Sequence, residues 1–138
     1  FLCIYEYIMN EFKVYYEDTD ASGRVYHANY LKFFERGRTN LIYQTKYTHK
    51  ILLDKFDIIF VVKDCKLQFK KPAFFEDTIK VVSAVHQLSR VKIKFNQKIY
   101  RKSDLLVEAE VLVIPVNIAG KISKLPNEIY FFLESFTI

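Results

Sequence analysis

The chain has 138 residues, enough for one domain of ordinary size and too few for two. Hydrophobic residues make up 51% and aromatics 17%, which excludes a disordered chain, and 3 Gly with 3 Pro exclude a collagenous or low-complexity one. The net charge of +5 suits a polyanionic partner, although a solvated, lysine-rich surface accounts for the same charge.

The chain opens with an apolar run, Phe1 to Ile8, that Glu6 interrupts. It falls short of the roughly 20 residues of a membrane span. It also lacks the basic start and small-residue cleavage site of an export signal. The single methionine is Met9, and natural translation is expected to begin there, with residues 1–8 upstream of it. Cys3 and Cys65 form neither a metal-ligand spacing nor a disulfide framework, so reduced thiols and a cytoplasmic location are expected.

Phe12 to Tyr16 mixes β-branched and aromatic residues and reads as a short strand. Glu17 to Gly23 follows as a cluster of turn formers. A helix is predicted from about Ala28 to Tyr43, with Tyr30, Phe33, Phe34, Gly37 and Leu41 along one face. Gly37 on that face costs about 1 kcal/mol in helix propensity, and close approach to a sheet would explain it. The rest reads as strands. Val61, Cys65, Leu67 and Phe69 are expected on one face of the next strand, which Lys71–Pro72 ends. Thr78–Leu88, Val91–Tyr100 and Leu105–Val116 follow, the latter two with alternating apolar and polar residues. Asn117–Gly120 reads as a turn, and Pro126 is placed to open a short helix ending at Glu134. This order predicts a single α+β domain whose curved antiparallel sheet wraps one amphipathic helix. Its open sheet edges call for a partner subunit.

The densest polar cluster spans Tyr16 to Asn29. It places Asp20 in a loop before the helix and His27 near the helix's first turn. A helix start offers unpaired backbone N–H groups and partial positive charge, which suit a developing oxyanion. A carboxylate beside it could act as nucleophile or general base. Read from residue types alone, Asp18, Thr19, Asp20 and Ser22 suit a turn and cap equally well, and His27 a packed helix start. His49 and His86 stand alone and read as structural or exposed. Glu35, the rival carboxylate, lies about 12 Å beyond His27 along the helix, too far to share its site within one subunit. Nucleophile-elbow, zincin, P-loop and dinucleotide motifs do not occur.

The stretch from Val14 to Arg38, with Asp18-Thr19-Asp20 and Tyr26-His27-Ala28-Asn29-Tyr30 at its centre, closely resembles the signature of YbgC-like acyl-CoA thioesterases. These belong to the 4-hydroxybenzoyl-CoA thioesterase group of hotdog-fold proteins. The resemblance continues through Phe60–Lys63, Lys71–Pro72–Ala73 with Asp77, and Glu108–Val113.

It implies a hotdog fold, a homodimer often paired into a dimer of dimers, and active sites at the subunit interface. It further implies that Asp20 is the catalytic carboxylate and that the amide at His27 polarises the thioester carbonyl. The His27 side chain and Tyr16 would contribute to the site. Acyl-CoA is the implied substrate, with no metal and no cofactor beyond the coenzyme A that the substrate carries. An acyl carrier protein is a possible partner, and a module that binds acyl groups with little catalysis is the alternative function. Ser22 and Arg24 depart from the family, where small or apolar residues are common. A nucleic-acid partner is not expected, because the lysines alternate with apolar residues as on a solvated sheet face.

Overall fold

The structure is a computed structural model that describes residues 7–137, so Cys3 and most of the segment upstream of Met9 lie outside the described residues. Strand β1, Ile8–Lys13, is followed after a long loop by helix α1, Tyr30–Tyr43, and helix α2, His49–Phe56. Strands β2 (Ile59–Phe69), β3 (Thr78–Ser89), β4 (Lys92–Arg101) and β5 (Asp104–Val116) complete one antiparallel sheet in the order β1-β3-β4-β5-β2. Helix α3, Asn127–Glu134, closes the chain behind Pro126, as the sequence predicts.

Helix α1 buries the expected stripe of Tyr30, Phe33, Phe34, Gly37 and Leu41, and Ile42 joins it. The stripe meets the inward residues of the strands, among them Val81, Val85, Ile93, Phe95, Ile99, Val107 and Val111. Each large apolar side chain so buried contributes about 2 kcal/mol. Gly37 sits where helix and sheet come closest. A Cβ there would lie 2.7 Å from Ser83 Oγ, 2.8 Å from Val81 Cγ1 and 3.0 Å from Gln97 Nε2. The close approach expected of this glycine is therefore present.

At the same crossing, fully buried Gln97 donates from Nε2 to the Phe34 carbonyl at 2.9 Å and to Ser83 Oγ at 2.8 Å. Its Oε1 accepts from Arg38 at 3.1 Å. A polar pin thus fixes the middle of α1 over the middle of the sheet.

Three expectations need correction. The first strand ends at Lys13 rather than Tyr16. Val14 exchanges hydrogen bonds with Asp77 and Glu76, and residues Tyr16–Asp18 then turn in a 3-10 helix. Helix α2 was not foreseen. The Thr48 hydroxyl accepts the Ile51 N–H at 3.1 Å as its N-cap, and Asp57, at φ +53°, ends it. In β2 a bulge at Lys63 changes the alternation, so Val62 opposes buried Val113 while Val61 opposes Ile114. Val62, Cys65, Leu67 and Phe69 share the inner face, and Val61 belongs to the other.

Candidate active site

The loop before α1 is organised by a carboxylate that the sequence treats as a plain turn former. Asp18 is 5% exposed. Its Oδ1 accepts from Asn29 Nδ2 at 2.6 Å and its Oδ2 from the Tyr15 N–H at 2.8 Å. Its carbonyl accepts the Tyr26 N–H at 2.9 Å. These bonds tie the 3-10 turn at Tyr16–Asp18 to a second one, His27–Asn29, which leads directly into α1. Between them the chain doubles back, with Thr19 bridged to Val25 and Gly23 at φ +77°, a conformation that glycine adopts without strain. Arg24 is bridged in turn to Phe74.

This architecture brings Asp20 and His27 into one cleft of about 350 Å³ at the start of the helix. Arg24, Val25 and Tyr30 line it from the same side, and Phe69, Lys70, Lys71 and Pro72 form the opposite wall. The His27 ring lies between Tyr26, 4.6 Å away by centroid, and the edge of Phe69 at 6.4 Å. The wall is pinned to the helix by the Ala73 N–H, which donates to the buried Tyr30 hydroxyl at 3.0 Å. Burial also holds the Tyr30 phenol above its ordinary value, favouring the neutral form that accepts this bond. Arg101 braces the wall's far end, donating to Asp77 at 2.7 Å and to the Pro72 carbonyl at 3.1 Å.

Asp20 is exposed. Its carboxyl is held below the usual carboxylate range, first by the Ser22 hydroxyl, then by the Ser22 N–H, with Arg24 adding to the effect. His27 is the first residue of its turn, so no carbonyl within that turn can take its amide hydrogen. Asp20 and His27 therefore border the same space, the one exposed and the other at the start of the turn that leads into α1. Such a cleft can hold a carbonyl oxygen against an amide while an ionised carboxylate faces the carbon.

Tyr16 is not brought to this cleft within one chain. It is 77% exposed, stacks on Phe75 with centroids 3.9 Å apart, and lines a separate open groove with Lys13, Tyr15 and Glu76. Glu35 lines another cavity, of about 120 Å³, between α1, α2 and the sheet. There the Thr39 hydroxyl donates to Glu35 at 2.8 Å and lies 3.3 Å from His49 Nε2. His49 is thus a half-buried member of a polar chain, while His86 is exposed as expected. Sequence reasoning assigns Phe69, Lys70 and Lys71 no role in the site: the signals there are the Lys71–Pro72 strand break and a resemblance through Lys71–Pro72–Ala73, and neither points to a cleft wall. Among the described residues, no three His, Cys, Asp or Glu side chains are grouped to hold a metal ion. Among them, too, no helix is long and apolar enough to cross a membrane.

A curved antiparallel sheet around one long helix, with the polar cleft at the helix start, defines a hotdog-fold protein of the thioesterase type. Comparison with known proteins agrees. The pattern of the Thioesterase-like superfamily matches residues 14–133. The acyl-CoA thioesterase YbgC of Haemophilus influenzae is 38% identical over 119 residues, covering 85% of this chain and 87% of that protein. The acyl-CoA thioester hydrolase YbgC of Escherichia coli is 36% identical over 106 residues, covering 76% and 78%. The crystal structure of a probable thioesterase from Bartonella henselae superimposes with a TM-score of 0.84 at 32% identity, covering 87% of this chain and 99% of that one. The chain belongs to the Thioesterase-like superfamily and, within it, to the YbgC family of acyl-CoA thioesterases.

Proposed function

We propose that the chain hydrolyses an acyl-CoA thioester to a free acid and coenzyme A in the Asp20–His27 cleft. The observation that supports this reading is that one cleft is lined by Asp20, whose carboxyl is held below the usual carboxylate range, and by His27, the first residue of the turn leading into α1. The thioester carbonyl oxygen takes the His27 N–H, and one well-placed donor of this kind contributes about 3 kcal/mol in the transition state. Asp20 faces the carbonyl carbon. By one route it removes a proton from a water that attacks, and the proton passes to the departing thiolate. By the other it attacks itself, expelling the thiolate, and water then cleaves the resulting anhydride. The His27 side chain, steadied between Tyr26 and Phe69, orients substrate or water. Arg24, Lys70 and Lys71 give the cleft a cationic rim that draws in a polyanionic coenzyme.

The working unit in this reading is a homodimer, two of which pair into a dimer of dimers. Edge strand β2 is 11 residues long, and its inner face carries Val62 at 49% and Phe69 at 53% exposure. A second copy pairing along that edge covers both and lies beside the cleft wall that Phe69 begins. Tyr16 enters a site only if the assembly brings it there. An acyl carrier protein is the alternative bearer of the acyl group.

Thiol release from short, medium, long and aromatic acyl-CoAs tests the reading. Turnover is expected for at least one class, with a loss of about 100-fold or more in Asp20→Asn. Equal rates in wild type and variant would remove Asp20 from the chemistry. A single turnover in heavy-oxygen water separates the routes, since label in the Asp20 carboxyl marks direct attack.

A further inference from the structure

Asp20 is gripped on one oxygen only. Ser22 donates twice to Oδ1, from its backbone N–H at 2.8 Å and from its hydroxyl at 2.5 Å. Among the described residues no donor is hydrogen-bonded to Oδ2. The turn itself does not need the hydroxyl. The Asp20 N–H donates to the Arg24 carbonyl at 2.8 Å, the Gly23 N–H donates to the Asp20 carbonyl at 3.0 Å, and the Ser22 N–H alone makes the contact of an Asx turn. Ser22 is exposed, and among the described residues the one hydrogen bond its hydroxyl makes is to Asp20.

We propose that Ser22 is a positioning residue for the hydrolysis, its hydroxyl locking Oδ1 of Asp20 so that Oδ2 alone meets the reacting group. This rests on the reading of Asp20 as the reacting carboxylate. Exchanging the two oxygens by rotating the carboxylate would break two charge-assisted hydrogen bonds at once, so the group presents one oxygen in one orientation. Donors on the ionised form also lower its proton affinity, so the site works at lower pH than one with a bare turn. The charged and titratable groups facing the cleft are Arg24 from the same loop, His27 from the helix start, and Lys70 and Lys71 from the opposite wall. Lys70 lies 3.8 Å from Glu108 and Lys71 3.3 Å from Asp104, while Asp18 is turned inward on Asn29. All of these are unchanged in a variant at position 22, so a comparison of variants isolates the hydroxyl.

The experiment compares full-length wild type, Ser22→Ala and Ser22→Thr. In Ser22→Ala the acid limb of kcat/KM is expected to move up by about half a pH unit. On the plateau kcat falls about threefold or more, with KM changed less than about twofold, as expected when orientation rather than binding is lost. Ser22→Thr restores both. A carbon-13 titration of the Asp20 carboxyl supplies the same readout without turnover, and its midpoint is expected to rise in Ser22→Ala and return in Ser22→Thr. An acid limb and an Asp20 midpoint identical in wild type and Ser22→Ala overturn the proposal. Asp20→Asn, run alongside, separates the two readings. If it keeps wild-type turnover, the role of Asp20 falls and that of Ser22 with it. If it is inactive while the Ser22→Ala profile stays put, the role of Ser22 falls alone.

Discussion

Two carboxylates separated by one threonine meet opposite fates in this chain. Asp18 is buried and consumed by architecture, while Asp20 is exposed and faces the cleft. Nothing in Asp-Thr-Asp distinguishes them by residue type. The difference arises because the 3-10 turn ending at Asp18 points its side chain at Asn29, eleven residues on. Asp18→Ala leaves the Tyr15 N–H and the Asn29 amide without their acceptor, at about 1–3 kcal/mol for each group that stays buried. A loss of about 2 kcal/mol or more in urea unfolding is expected, together with loss of turnover. Asp20→Ala is expected to stay within about 0.5 kcal/mol of wild type, as an exposed turn residue should. Gln97 poses the converse problem. Its inward register on β4 follows from the alternation of Ile93, Phe95 and Ile99, yet its partners lie on α1 and β3, which no local pattern reveals. Gln97→Leu strands Arg38 and is expected to cost about 2 kcal/mol or more in the same measurement.

Among the elements, legibility follows how locally each is specified. Helix α1 and strands β4 and β5 carry their own periodicity, so their positions and faces are readable from sequence, whereas β3 is readable only as a run. Helix α2 spans only 8 residues with one fully buried side chain, Leu52, which is too short an apolar pattern to mark a helix in the sequence. The cleft's second wall lies more than 40 residues beyond Asp20 and is brought to it by topology, which a reading of neighbours in sequence cannot supply. Gly37 is the most telling success, since an unfavourable helix residue pointed to a tertiary contact. For Gly37→Ala the gain of about 1 kcal/mol in propensity competes with overpacking of about 1–3 kcal/mol against Val81 and Gln97, both fully buried. Net destabilisation by chemical denaturation is the expected outcome.

At the scale of the molecule, the cavity between α1, α2 and the sheet couples stability to pH. Burial holds the His49 imidazole below the ordinary histidine value of 6.5, and the attraction of Glu35 offsets this only in part. A folded-state value below the unfolded one means that the contribution of His49 is complete above that pH and is lost as pH falls through it. Unfolding free energy is therefore expected to decline on acidification from about pH 7, and His49→Gln to flatten that part of the curve. The β2 edge makes a separate claim on the whole molecule. On the proposed pairing along this edge, Val62→Asp, at a half-exposed position of a single chain, is expected to leave the fold intact while lowering the mass measured by light scattering to that of a monomer.

The bulge at Lys63 acts on β2 as an inserted letter acts on a reading frame. Phe60 and Val62 precede it and serve the cavity by α2, while Leu67 and Phe69 follow it, with Phe69 serving the cleft. Strict alternation from Phe60 would turn Asp64, Lys66 and Gln68 inward and put Phe69 outside. One supernumerary residue keeps both ends in phase with the same interior. Deleting Lys63 would change no side chain of the cleft and still unmake its wall, whereas substituting Lys63 should pass almost unnoticed.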